Sequence, residues 1–211
     1  MGKYEVGVLG NFNGKIGTVV GAKWKGIEYM RHKGRKSKKP RSAAQLEQQA
    51  RFSCVASFVQ KFTDLLMACY TDTPELTAIN HAFAGIYANA IIGAYPSFSL
   101  DYSKVQLCKG TLHNAFSLAA LAAGNGIVKF TWADNTSGNN AKATDKAVLI
   151  VYCPELDQAI YTLQGAERRS GADNLNVMNF TGKLVETWIA FMSANGQLVS
   201  SSYYTGQLTV A

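Results

Sequence analysis

Nine cations crowd one short stretch of this chain: Lys23, Lys25, Arg31, Lys33, Arg35, Lys36, Lys38, Lys39 and Arg41, with Glu28 the only acid among them. The stretch carries +8 where the whole chain carries +7, so the remainder sums to −1. Charge this dense attracts phosphate backbones, acidic protein surfaces or anionic lipid, and it also suits a solvated loop that keeps a low-charge protein soluble. Trp24 and Tyr29 are interleaved with the cations. Rings between cations can stack bases while the cations hold phosphates. In the other reading the two rings are the core of a β-hairpin and an assembly contact, and the lysines face water. The partners expected of this segment are other copies of the chain, nucleic acid or an acidic protein surface.

Other chemistry has less to stand on. Gly14-Lys15-Ile16 falls short of a phosphate-binding P-loop, because Gly10 and Gly14 enclose three residues and Ile16 replaces the hydroxyl that would hold magnesium. Gly14-Lys15-Ile16-Gly17 matches the G-x-x-G of a KH loop only in letters, since that loop must join two helices. His32 lies among cations, where an imidazole is a poor base, and His81 and His113 stand far apart in the chain. No nucleophile elbow, zinc-protease motif or paired carboxylate nominates a catalytic site. Asp101, Asp134, Asp145 and Asp173 read as turn residues, and Arg168-Arg169 as a small basic pair at a turn. Cys54, Cys69, Cys108 and Cys153 contain no C-x-x-C pair, and Cys54 and Cys69 fall in a helical apolar pattern as small core residues. No enzyme activity, cofactor or metal is expected.

These residues need elements to position them. Residues 1–31 read as a glycine-rich β-segment: Val20, Ala22 and Trp24 alternate onto one side, Ile27, Tyr29 and Arg31 continue after Lys25-Gly26, and that pair suits a tight hairpin turn. Residues 32–41 form a basic arm or loop. Residues 42–99 read as a helical hairpin. Its first helix spans about 42–70, opened by the capping pattern Ser42 to Gln45. Its second starts at Thr73-Pro74-Glu75 and is ended by Gly93 and Pro96. From residue 100 to 211 the period changes to two. Strands are expected at 104–109, 126–133, 146–153, 158–164, 174–178, 184–192, 197–205 and 207–210, with Trp132 anchoring the core. Short strands at this spacing predict an antiparallel β-sandwich, and the fold class is α+β. The segment from Trp188 to Ser202 resembles the last two strands of a fibronectin type III or immunoglobulin-like domain, without the disulfide of true immunoglobulin domains.

The chain has 211 residues, 47% hydrophobic and 17% charged. The charged share lies below the roughly 25% usual for soluble domains, which argues against disorder and leaves room for contacts with neighbouring subunits. No run of about 18 apolar residues occurs, so no membrane span is expected. The start Met1-Gly2-Lys3-Tyr4-Glu5 lacks an apolar segment, so no secretion signal is expected and the thiols are expected to be reduced in a cytoplasm.

Gly14-Lys15-Ile16-Gly17-Thr18-Val19-Val20-Gly21, Trp24-Lys25-Gly26, Tyr29-Met30-Arg31, Pro40 to Gln45, Asp101-Tyr102-Ser103, Lys109-Gly110, Trp132, Asp145-Lys146 and Ser200-Ser201-Ser202-Tyr203 together carry a likeness. The chain resembles, over nearly its whole length, a family of unknown function of about 210 residues from Bacteroidota-type bacteria and their phages. The resemblance implies no established activity, no assigned site and a phage or mobile-element setting. The expectation that follows is a structural or assembly protein, incorporated into a virion or other ordered polymer, whose basic arm contacts nucleic acid or an acidic neighbour. The alternative is a nucleic-acid-binding protein acting through residues 23–41.

Overall fold

The structure is a computed structural model that describes residues 2–3, 12–35, 39–71, 73, 75–136 and 140–211. The chain divides into two compact units, Met1–Ala43 and Ala44–Ala211.

The first unit is a four-stranded antiparallel sheet. It contains β1 (Gly2–Lys3), β2 (Gly14–Ile16), β3 (Val19–Trp24) and β4 (Ile27–His32), in the order β1-β4-β3-β2. The predicted hairpin is present: Lys25 and Gly26 join β3 to β4 with φ of 47° and 80°, and two successive left-handed residues match the twist of the flanking strands. Gly21 is required for another reason. A Cβ there would lie 2.4 Å from the carbonyl oxygen of Phe12, which crosses β3 at that point.

The second unit opens with helices. α1 (Ala43–Gln60) and α2 (Thr63–Cys69) replace the single helix expected over 42–70, and they diverge by 81°. Phe62 leaves helical backbone (φ −118°, ψ 20°). Val55, Phe58, Val59, Phe62, Leu65, Leu66 and Cys69 keep one apolar series across the bend and enter one cluster. Among the described residues no single helix is long and apolar enough to cross a membrane. α3 (Ala78–Asn89) starts later than the expected Thr73: Thr77 caps it by accepting from the Asn80 amide, while the Thr73 hydroxyl accepts from the Leu76 amide in the preceding turn. Gly93 and Pro96 do more than end that helix, for they lie in and at the turn of a hairpin of β5 (Ile91–Ala94) and β6 (Ser97–Leu100).

Among the described residues seven strands follow: β7 (Phe116–Gly124), β8 (Ile127–Ala133), β9 (Lys146–Cys153), β10 (Gln158–Thr162), β11 (Ala172–Asn176), β12 (Leu184–Met192) and β13 (Tyr203–Thr209). They form two antiparallel sheets, ordered β10-β9-β12-β13 and β11-β8-β7. The fold is thus α+β with antiparallel sheets. Three expected strands differ. Residues 104–109 hold a 3-10 turn (Tyr102–Lys104) and then an irregular segment whose Leu107 and Cys108 amides donate to the Ser202 hydroxyl. Val105 and Leu107 are buried two apart, which imitates a strand without a partner ladder. Residues 197–205 make only isolated bridges at Val199 and Ser200, and β13 absorbs the later part together with 207–210.

β9 explains the layering. Its Ala147–Cys153 run is buried throughout, as a strand covered on both faces must be. Leu149 and Val151 join Phe130, Trp132, Val185, Ile189 and Phe191 between the two sheets. Val148, Ile150 and Tyr152 join Trp188 and Ala190 in the cluster shared with the helices. Trp132 is a core anchor as expected, set edge-on to Phe191 at 5.4 Å between centroids.

Arg168 and Asp145 stand at turns, as the sequence suggested, and their side chains are turned inward. Both are buried, at 0% and 1% exposure. Arg168 donates through Nε to Asp145 (3.3 Å), through one terminal nitrogen to Asn135 (2.9 Å) and through the other to the His113 carbonyl (2.8 Å). Its guanidinium lies 4.2 Å from the Phe191 ring centroid. Burial pushes the guanidinium pKa down and the Asp145 charge opposes that shift.

Candidate functional site

The N-terminal sheet positions the cations and rings singled out in the sequence. Directly opposed residues of an antiparallel pair share a face. The pairs Lys15–Val20, Val20–Arg31, Ala22–Tyr29 and Trp24–Ile27 place Lys15, Trp24, Ile27, Tyr29 and Arg31 on one face. The pairs Ile16–Val19, Val19–His32, Gly21–Met30 and Lys23–Glu28 place Ile16, Lys23, Glu28, Met30 and His32 on the other. Trp24 and Tyr29 are therefore diagonal neighbours on one face, within reach of each other for large side chains.

Among the described residues the cations are divided between the two faces of the sheet, its turn and the segment after β4. Lys23 stands 3.8 Å from Glu28 on the second face. Lys25 sits in the turn with its ammonium 5.5 Å from the Trp24 ring centroid, a cation–π contact. Arg31 shares the first face with the aromatic residues. Lys33 donates its amide to the Thr18 carbonyl at 2.8 Å, which extends the ladder beyond β4. Lys33 and Arg35 then line a shallow cleft of about 420 Å³ with Thr18, His32 and Gly34. Lys39 and Arg41 are exposed before α1. Lys36 and Lys38 lie outside the described residues. Lys15 is a cation of the aromatic face that the charge-density reading passed over. The alternation of Gly14-Lys15-Ile16 with Val19-Val20 is the signal that finds it.

Apolar exposure is the second property of this sheet. Ile16 is 62% exposed, Trp24 44%, Ile27 42% and Met30 36%. Gly21 alone is buried among the described residues of the unit. Large apolar side chains are thus open on both faces of a thin sheet, with cations between and beyond them.

The other titratable groups do not converge. His81 pairs with the Thr73 hydroxyl at 3.2 Å and His113 with Asn140 at 2.8 Å. Among the described residues, no group of three His, Cys, Asp or Glu side chains is spaced to hold a metal. Gly14 to Gly17 occupy a strand and a turn into another strand, so no helix N-terminus stands behind them to receive a phosphate.

Comparison with known proteins supports one part of the likeness, a family of unknown function that covers nearly the whole chain. A family model described as "Family of unknown function (DUF6266)" matches residues 11–206. No curated protein matches the chain.

Proposed function

The chain belongs to DUF6266, a family of unknown function, and on that premise we propose that it is a non-enzymatic structural or assembly protein whose N-terminal sheet packs against other copies of itself. The exposure of Ile16, Trp24, Ile27 and Met30 on a sheet where Gly21 alone is buried among the described residues carries this reading. A small sheet needs a hydrophobic face or a packed neighbour for stability, and an apolar face gains by being covered. Fully burying an exposed side chain of this size contributes about 1.5–3 kcal/mol. These are about half exposed, with Trp24 and Ile27 on one face and Ile16 and Met30 on the other, so covering either face adds about half of that range per residue. The surrounding cations favour a partner surface that presents acids, or a nucleic acid held within the assembly.

Two finer parts belong to the same proposal. Residues 100–211 are read as an immunoglobulin-like sandwich of the fibronectin type III kind. Its strands one, two and five form one sheet and three, four, six and seven the other, and seven antiparallel strands in two sheets around a shared core support that reading. The setting is read as a phage virion or other ordered polymer, as the resemblance implies.

Light scattering coupled to size exclusion, with absorbance at 260 and 280 nm and no nuclease step, tests the proposal. A defined assembly with a protein-like absorbance ratio is expected, and Ile16→Ser with Trp24→Ser is expected to reduce it to single chains with an unchanged circular dichroism spectrum. A parent protein that stays a single chain at high concentration would remove the reading.

A second reading, nucleic-acid binding, is favoured by the placement of Lys15 and Arg31 on the same face as Trp24 and Tyr29. It predicts binding to single-stranded DNA that weakens steeply with salt. Arg31→Glu, Lys33→Glu and Arg35→Glu together should lower affinity at least about 100-fold through lost phosphate contacts. Equal binding by parent and triple variant would discard it.

A further inference from the structure

We propose that Cys69 and Cys108 are a paired dithiol that closes to a disulfide when a peroxide reaches it, making this a covalent modification site between α2 and the segment that leads into β7. The two sulfurs lie 2.8 Å apart, and their residues are 2% and 0% exposed. All four cysteines are free thiols in the structure. Cys54 turns its sulfur toward the Phe98 carbonyl, at 3.8 Å. Cys153 belongs to the cluster between the sheets, while Cys69 and Cys108 belong to the cluster under the helices. A disulfide is about 2.05 Å long, so closing this pair needs less than about 1 Å of sulfur travel.

The backbone on each side of the pair is already held. Tyr70, next to Cys69, donates its hydroxyl to the Gln106 carbonyl at 2.8 Å, and its amide closes α2 on the Leu66 carbonyl. Cys108 is clasped by Ser202: the Leu107 and Cys108 amides donate to the Ser202 hydroxyl, and the Ser202 amide donates to the Cys108 carbonyl. Fixed backbones keep one sulfur at high effective concentration beside the other, which favours closure over reaction with outside thiols.

The two thiols have different roles. Cys69 lines an open cleft of about 500 Å³ together with Met67, Tyr70, Lys109, Gly110 and Val199. Cys108 is absent from that lining, and burial together with the Cys69 contact pushes its thiol pKa up. Cys69 is therefore the thiol that meets the oxidant and Cys108 the one that resolves. The Cys69 thiol attacks one peroxide oxygen, the O–O bond breaks, and the departing hydroxide leaves as water with the proton that Cys69 gives up. Cys69 is then a sulfenic acid. The Cys108 sulfur attacks the Cys69 sulfur. The S–S bond forms, the S–O bond breaks, and the leaving hydroxyl departs as water with the Cys108 proton. Two thiols are oxidised and one hydrogen peroxide is reduced to two waters.

The test uses the full chain, reduced, freed of reductant, treated with hydrogen peroxide, then denatured in an alkylating reagent. Intact mass should show two alkylated thiols where the reduced protein shows four, and peptide mapping should join Cys69 to Cys108. The link closes a loop spanning 39 positions, so oxidation should raise the melting temperature by about 10 °C, reversibly with dithiothreitol. Cys108→Ser should abolish the link and leave Cys69 open to irreversible oxidation, whereas Cys54→Ser with Cys153→Ser should leave the link intact. Four alkylatable thiols after peroxide, or a link through Cys54 or Cys153, would overturn the proposal. The wild-type peptide map decides this even if a serine variant fails to fold.

Discussion

Arg168→Ala is expected to cost about 3–5 kcal/mol of folding stability, a fall in melting temperature of roughly 10 °C. The size comes from what the side chain leaves behind. Asp145 is 1% exposed, and its Oδ2 loses the guanidinium while still accepting from the Lys142 amide. Asn135 Oδ1 and the His113 carbonyl lose their donors at the same time. The side chain ties three segments far apart in sequence, around residues 113, 135 and 145, to one point, and the Asn135 amide adds one further link to the Asn114 carbonyl at 2.7 Å. An uncompensated buried carboxylate dominates the loss. Asp145→Asn with Arg168→Met removes both charges and nearly conserves volume, so it should recover much of the stability. Urea denaturation checks both variants, with an unchanged m-value showing that the same surface unfolds. A loss below about 1 kcal/mol for Arg168→Ala would mean that the cluster relaxes or hydrates without cost.

Trp188→Ala is expected to cost about 3–5 kcal/mol as well, through a different mechanism. Trp188 is fully buried, with Tyr102 at 6.2 Å and Tyr204 at 5.6 Å between ring centroids. Removing the indole leaves a cavity between the helices and the four-stranded sheet, where aromatic partners on fixed elements cannot collapse fully. Trp188→Phe keeps most of the ring contact. It also deletes the Nε1 donor, which has no acceptor among the described residues. Its cost should therefore be less than half that of Trp188→Ala. Equal losses for the two variants would show that a phenyl ring recovers none of the packing and that the full indole shape is required.

The elements that could be read from the sequence are those whose pattern comes from burial. β9 is an unbroken apolar run because both of its faces are covered. The Lys25-Gly26 hairpin is visible because two left-handed residues have few alternatives to Lys-Gly, Asn-Gly or their kin. Asp101 and Asp134 accept from the amides of Ser103 and Thr136, as turn aspartates do. β7 was hidden, because Phe116–Gly124 is largely alanine and leucine, without the β-branched residues that mark strands. The bend at Phe62 was hidden because the apolar spacing runs through it without interruption. Arg168 and Asp145 carry no local sign of burial at all. Their partners at residues 113 and 135 come from across the fold, and only the tertiary structure supplies them. At the N-terminal sheet the residue types were legible, but their division between two faces depends on strand register, which a charge count does not contain.

The position of β9, shared by the core between the sheets and the core under the helices, has a consequence for cooperativity. Neither core can melt alone, since losing the helices bares Val148, Ile150 and Tyr152, and losing the three-stranded sheet bares Leu149 and Val151 of the same strand. The helices are thus not an accessory laid over a finished sandwich, and a fragment beginning near residue 100 would carry a wide apolar wound on its principal sheet. The amide protons of β9 and β12 should be the last to exchange with solvent, opening only when the whole Ala44–Ala211 unit does.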